Sequence, residues 1–378
     1  MTSQNDTLVC IFLRGGADTL NMVVPYGDDN YYKLRPSISI QKNKCAKLTD
    51  FYGFHPAMSG LTAAFHDGRL AIVQGVGSDN VSGSHFSAQD QMEHGESMRK
   101  NVGGGWLGRY LSLLDEPTTA LSAVALGSSV PESLRGAPNV SALNSVNEIV
   151  LKAPPECYAN ICKALTELYA SDPSQMVASA GRDTLQLMTR IKTVQATDYK
   201  PMRGVTYPDS DFARGLREIA RLLKADVGVK VASIDLGGWD THFVQGNFEG
   251  LQAGLIKQFG EGLAAFDADM REIRDRVHVL VLTEFGRRNY ENSSLGTDHG
   301  RGFAAFILSS KVNGGRVLGD YPGLEEQPAE FILGPSGLSI RHDYRAVLAE
   351  VLTHTMGCKT VNKIFPDLQS TATGLFQI

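Results

Sequence analysis

VHVLVLTEFGRRNYENSSLGTDHGRGFAAFIL, residues 277–308, is the stretch whose reading decides the fold. Its first half, residues 277–283, is a continuous apolar run rich in β-branched side chains. Such a run predicts a parallel strand covered on both faces. The run stops at Glu284, which places a carboxylate at the carboxyl end of the strand, where open α/β sheets collect their ligands. A polar loop then carries Asp298 and His299 between glycines, and a second apolar run, residues 303–308, returns to the sheet. A strand, a carboxylate, a glycine-framed Asp-His pair and another strand suit a metal or phosphate site.

The rest of the chain alternates in the same way. Residues 7–13, 70–76, 122–126 and 229–236 read as strands. Residues 56–66, 105–114, 157–170, 182–194, 211–224, 251–274 and 342–356 carry helical patterns, with Pro56 in a first turn and Gly357 as a stop. The expectation is one α/β domain over residues 1–378, with insert or cap segments at about 128–210 and 311–335. Such a length can bury a large core. Apolar and charged fractions of 42% and 20% are ordinary for a globular protein. A net charge of −5 argues against nucleic acid as a partner. No apolar stretch approaches the roughly 18 residues of a membrane span. No targeting signal opens the chain, so it is expected in the cytoplasm as it stands. The five cysteines fit no zinc spacing and read as reduced, buried thiols. Oligomeric state is open at this level.

Four strand ends hold candidate chemistry on one predicted sheet edge. Asp18, with Asn21, follows the first strand; its ordinary role is to hold its own loop. Ser82, Ser84 and His85 lie in a Gly-Ser-rich loop, where Ser84 is a nucleophile or, more commonly at such a junction, a helix cap. Asp240 and His242 stand two apart after a strand, in metal-ligand or capping positions. Glu284 with Asp298 and His299 completes the set. Carboxylate oxygens with imidazole nitrogens, and no nearby thiolate, suit zinc, manganese or magnesium. The other six histidines lack such company. Arg14-Gly15-Gly16-Ala17-Asp18 lacks the Gly-x-Gly-x-x-Gly spacing of a dinucleotide site.

The motifs LRGGADTLNMVVPYGD, SGSHFSAQDQMEHG, GGWDTH, TEFGR and GTDHGRG resemble those of the domain-of-unknown-function 1501 family, over nearly the whole chain. That family is sulfatase-like and grouped with the alkaline phosphatase superfamily, and many members carry an amino-terminal twin-arginine signal, so the resemblance implies the periplasm if such a leader has been removed. The resemblance implies a three-layer α/β/α sandwich with a mostly parallel sheet, one or two divalent metals, and hydrolysis or transfer of phosphoryl or sulfuryl groups. It implies that Asp18 is the metal-binding Asp after the first strand. The loop of Ser82, Ser84 and His85 falls where the nucleophile would be. Asp240 and His242 resemble a later Asp and His, at closer spacing. The usual Asp-His after the next strand is replaced by Glu284-Phe285. Either His299 is then the last metal-binding His, or Asp298-His299 is itself that pair. No sulfatase-type Cys/Ser-x-Pro-x-Arg context is present, so formylglycine chemistry is not expected.

The leading reading is a metal-dependent hydrolase of a small anionic ester or a sulfated or phosphorylated glycan. Asp18, Asp240, His242, Glu284, Asp298 and His299 are its nominated ligands. Ser84 or Ser82 serves as nucleophile and His85 protonates the leaving group. Arg14 and Arg287 either clamp the anion bidentately or pair with nearby carboxylates. The alternative is a metal-free binding or assembly protein on the same fold, recognising an anionic glycan or a partner.

Overall fold

The computed structural model describes residues 6–98, 101–154, 156–171, 174–324, 337–369 and 372–376. Among them the main sheet has nine strands. In chain order these are β1 (Thr7–Leu13), β2 (Leu70–Gly77), β3 (Ala123–Leu126), β4 (Ser141–Leu143), β5 (Val231–Leu236), β6 (Val277–Leu282), β7 (Phe303–Leu308), β8 (Arg316–Leu318) and β9 (His342–Asp343). The spatial order is β8-β2-β7-β6-β1-β5-β3-β4, with β9 also on β2. β1 is central, parallel to both β5 and β6. β7 runs antiparallel to β6 and β2, while the remaining pairings are parallel. This reversal returns the β6–β7 connection to the same sheet edge at which the parallel strands end. It is the reason the loop after Glu284 joins the loops after β1 and β5.

The side-chain period of two sorts β1 onto two cores. Val9, Ile11 and Leu13 face a layer that includes Phe212, Leu216 and Ile219 of α5 (Asp211–Lys224) and Ile256, Phe259 and Leu263 of α6 (Leu251–Asp269). Leu8, with Cys10 and Phe12, faces Leu107, Tyr110 and Leu111 of α2 (Trp106–Ser112) and Val347, Leu348 and Val351 of α7 (Tyr344–Met356). The molecule is therefore a three-layer α/β/α sandwich, and the unbroken burial of β6 follows from being covered on both faces. α5 begins with Ser210 accepting from the Ala213 amide and carries Asp211 in its first turn and Lys224 in its last, as its sequence pattern predicts.

The insert segments are only partly additions to this frame. Within residues 128–210, β4 is the edge strand of the main sheet. The helices α3 (Tyr158–Ser171) and α4 (Gln175–Ala196) form a pair whose Ile191 and Val194 enter the core. Within 311–335, β8 also joins the sheet, and residues 325–335 lie outside the described residues. The predicted helix at 56–66 opens as a 3-10 segment, Pro56–Leu61, and becomes α-helical over Thr62–His66. All five cysteines are unpaired, but burial holds for Cys358 only; Cys157 is exposed. No described helix is long and apolar enough to cross a membrane.

Candidate metal centre

At the carboxyl edge of the sheet, Arg287 holds three loops together from beneath. Its side chain is fully buried. Nε donates to the Gly16 carbonyl at 2.6 Å and Nη1 to the Thr297 carbonyl at 2.8 Å. Nη2 reaches the Gly15 and Trp239 carbonyls and, at 2.7 Å, Asp240 Oδ1. The loops after β1, β5 and β6 are thus keyed to a single guanidinium. Close backbone packing makes this possible. A Cβ on Gly15, whose φ is +116°, would sit 2.7 Å from the Asp240 amide nitrogen, and one on Gly286 would sit 1.8 Å from the Gly302 carbonyl oxygen. Glycine is required at both positions.

Three histidines converge above this arginine. His85 is the first residue of α1 (His85–His94), His242 follows β5, and His299 pairs across from Arg287 on the way into β7. Each Nδ1 meets an acceptor: Glu284 Oε1 at 2.7 Å for His85, Asp298 Oδ1 at 2.9 Å for His242, and the Gly83 carbonyl at 2.7 Å for His299. Those acceptors hold the proton on Nδ1 and leave each Nε2 with a lone pair. The Nε2 atoms lie 3.3 Å (His85), 2.9 Å (His242) and 3.1 Å (His299) from the same atom, Asp240 Oδ1. His242 Nε2 and His299 Nε2 are 3.0 Å apart. His85 Nε2 is buried and has no hydrogen-bond partner. His85, Asp240 and His299 offer donor atoms all within 4.8 Å of one another, a spacing that suits one metal ion.

Charge is distributed to match. Burial opposes ionisation of Asp240, yet the hydrogen bond and charge of Arg287, with His299 and His242, hold its carboxyl well below the usual range. Glu284 is lowered too: burial resists, and bonds from His85 and Gln89 prevail. The Glu284 bond raises His85, whereas burial leads in lowering His299. Imidazole Nε2 atoms facing one anionic oxygen form a donor set that a divalent cation would complete.

A model of the family described as a protein of unknown function (DUF1501) matches residues 5–338. The chain belongs to the DUF1501 family. No curated protein sequence matches it significantly. Solved structures of similar course include a 2-O GAG sulfatase, BT1596, at 8% identity and a TM-score of 0.34, over 97% of this chain and 76% of that one. The lipoteichoic acid synthase LtaP from Listeria monocytogenes is at 9% identity and a TM-score of 0.29, over 94% and 73%. Likenesses this distant assign no side chain a role.

In this DUF1501 protein the nominated ligands part company. Asp240, His242 and His299 meet at one point; Asp18, Glu284 and Asp298 do not point at it in the same way. Asp18 is buried, with Oδ2 bound to Arg35 Nη1 at 2.6 Å and Gln245 Nε2 at 2.7 Å, so a buried cation already matches that oxygen. Glu284 and Asp298 stand behind His85 and His242 and accept their Nδ1 protons. His85, nominated as a proton donor, instead turns its bare Nε2 toward Asp240.

The arginines follow their structural reading. Arg287 is ringed by carbonyls and Asp240, and Arg14 binds Glu93 through both terminal nitrogens and Asp235 through Nε at 2.5 Å. Neither is free to clamp an anion. Ser84 occupies the N-cap position of α1, but its side chain makes no capping bond. The Ser82 hydroxyl donates to Asn80 Oδ1 at 2.6 Å. Sequence reasoning missed Gln89, one helical turn after His85, whose Nε2 donates to Glu284 Oε1 at 2.8 Å. The i, i+4 spacing on a predicted helix was the available signal. The Gly83 carbonyl behind His299 carried none.

Proposed function

We propose that this protein is a metal-dependent hydrolase of phosphate or sulfate esters, with one divalent ion held by His85, His242, His299 and Asp240. A single observation carries the reading: three imidazole Nε2 atoms, each with Nδ1 anchored, lie within 3.3 Å of one carboxylate oxygen. Sites rich in imidazole suit zinc, copper, iron or nickel, while magnesium and manganese favour oxygen shells. Zinc therefore stands ahead of the other two metals that the sequence admits. When bound, such an ion polarises an ester oxygen and lowers the pKa of a neighbouring water or hydroxyl. The chain's own residues orient the donors: Glu284, Asp298 and the Gly83 carbonyl fix the tautomers, and Arg287 keeps Asp240 ionised. Ser84, uncommitted to capping and adjacent to His85, is the nucleophile if a covalent step occurs. The ester class rests on the family resemblance, and a small anionic ester is the substrate that resemblance supports.

Elemental analysis of protein purified without chelator is expected to find about one zinc per chain, with turnover of nitrophenyl phosphate or sulfate esters. Absence of metal, and no turnover after zinc, manganese, magnesium or calcium is supplied, would leave a metal-free binding protein and overturn the proposal. A finer test addresses the support behind the ligands. Glu284→Gln is expected to weaken metal affinity about 10- to 100-fold, as loss of a carboxylate behind a ligating histidine generally does. Competition with a calibrated chelator reads this directly; unchanged affinity would remove Glu284 from the site.

A further inference from the structure

We infer that the substrate carries an apolar body, aryl or alkyl, next to the group that meets the metal; this rests on the metal-centre reading above. Two of the three converging histidines are followed directly by an exposed phenylalanine. Phe86 is 89% exposed and Phe243 is 71% exposed. The Phe243 ring centroid lies 6.3 Å from that of His242. Beside it, Val244 and Leu295 are also exposed, at 69% and 46%.

The backbone shows that this exposure is built. The Val244 amide donates to the Ser294 carbonyl and the Gln245 amide to the Leu295 carbonyl, both at 2.8 Å. The loop after β5 is thereby zipped to the loop after β6. Val244 and Leu295 adopt positive φ, 42° and 59°. For a β-branched valine this region is a true outlier, and such strain persists where surrounding structure enforces it, commonly at ligand sites. Here the enforced turn keeps two apolar side chains in solvent beside His242. A polar residue or glycine would occupy the same backbone with less strain and no exposed apolar surface.

Charge points the same way. The two arginines at these strand ends are already engaged, Arg14 by Glu93 and Asp235 and Arg287 by carbonyls and Asp240. Beyond the metal position, neither supplies the cationic contacts that a polyanionic chain would use. The loop after β5 instead carries Phe243 and Val244, zipped to Leu295, exposed beside His242, and Phe86 is exposed next to His85 in sequence; such groups gain free energy by covering an apolar ligand.

The test uses the full-length protein, loaded with zinc and checked for metal content. Its binding of methylphosphonate, hexylphosphonate, phenylphosphonate and a hexose phosphate is compared by calorimetry, so turnover is not required. Affinity is expected to rise about tenfold or more from the methyl to the hexyl and phenyl compounds, since each buried methylene contributes. Phe86→Ser and Phe243→Ser are expected to shrink that increment several-fold each while zinc content stays at wild-type level. A flat series, tighter binding of the hexose phosphate, or an increment that survives in the double variant would overturn the inference and leave the metal centre standing. Failure to load zinc would instead bring down the reading beneath it.

Discussion

His299→Ala is expected to reduce metal affinity by more than about a hundredfold, because loss of even a partner behind a ligand costs about 10- to 100-fold. Among the proposed ligands, His299 can be removed while Arg287 stays paired with Asp240. Its Nδ1 is bound to the Gly83 carbonyl and its ring packs against His85, His242 and Phe285, so truncation leaves every charged partner of the site in place. Asp240→Ala would also strip Arg287 of its carboxylate and so mix two effects. The loss has a thermodynamic readout as well. A ligand present at about a thousand times its Kd stabilises the native state by about 4 kcal/mol. Wild-type protein is therefore expected to melt lower after chelation, and His299→Ala to melt at the same temperature with or without chelator. Retention of stoichiometric metal by His299→Ala would sink the assignment.

Arg35→Met is expected to destabilise the fold by about 3–5 kcal/mol, the usual cost of breaking a buried ion pair from one side. Arg35 is 0% and Asp18 1% exposed as side chains. Arg35 also donates to Asn21 Oδ1 and to the carbonyls of Asn289 and Arg288, at 3.0, 2.8 and 2.8 Å. Removing it leaves Asp18 with Gln245 as its side-chain donor, while Oδ1 has no partner even in the intact protein. Adding Asp18→Asn to Arg35→Met is expected to restore a large part of the loss in urea unfolding, because the uncompensated charge is gone. Asp18→Asn alone is expected to keep its metal. Loss of metal from that variant would return Asp18 to the ligand set and contradict its role as the anion of a structural pair.

Much of the fold was legible because it depends on local pattern. Thr7–Leu13 and Phe303–Leu308 are strands at the predicted bounds, and Asp211–Lys224 is a helix at its predicted bounds. Their apolar periods and end residues are sufficient evidence within a short window. The direction of β7 was not legible, since an apolar run reads the same in either direction. β4 was missed because Ser141–Leu143 is three residues long and sits in a Ser- and Asn-rich segment. Position alone leaves Ser84 as a cap or a nucleophile; the structure keeps it at the N-cap, but its hydroxyl does not make the bond. Side-chain rotation is a tertiary outcome that position alone does not specify.

The site divides along the same line. Residue order alone determined that Asp18, His85, Asp240, His242, Glu284, Asp298 and His299 lie on loops at one sheet edge, because each follows or adjoins a recognisable strand. Only the tertiary structure decided which of them face a common point and which stand behind. A carboxylate beside Arg35 is half of an ion pair; one beside an imidazole Nδ1 fixes a tautomer; one beside three bare Nε2 atoms completes a donor set. His85 and Glu284 meet across 199 positions of sequence. Hydrogen bonds act over about 3 Å, so these roles are set by neighbours that only the folded chain brings together.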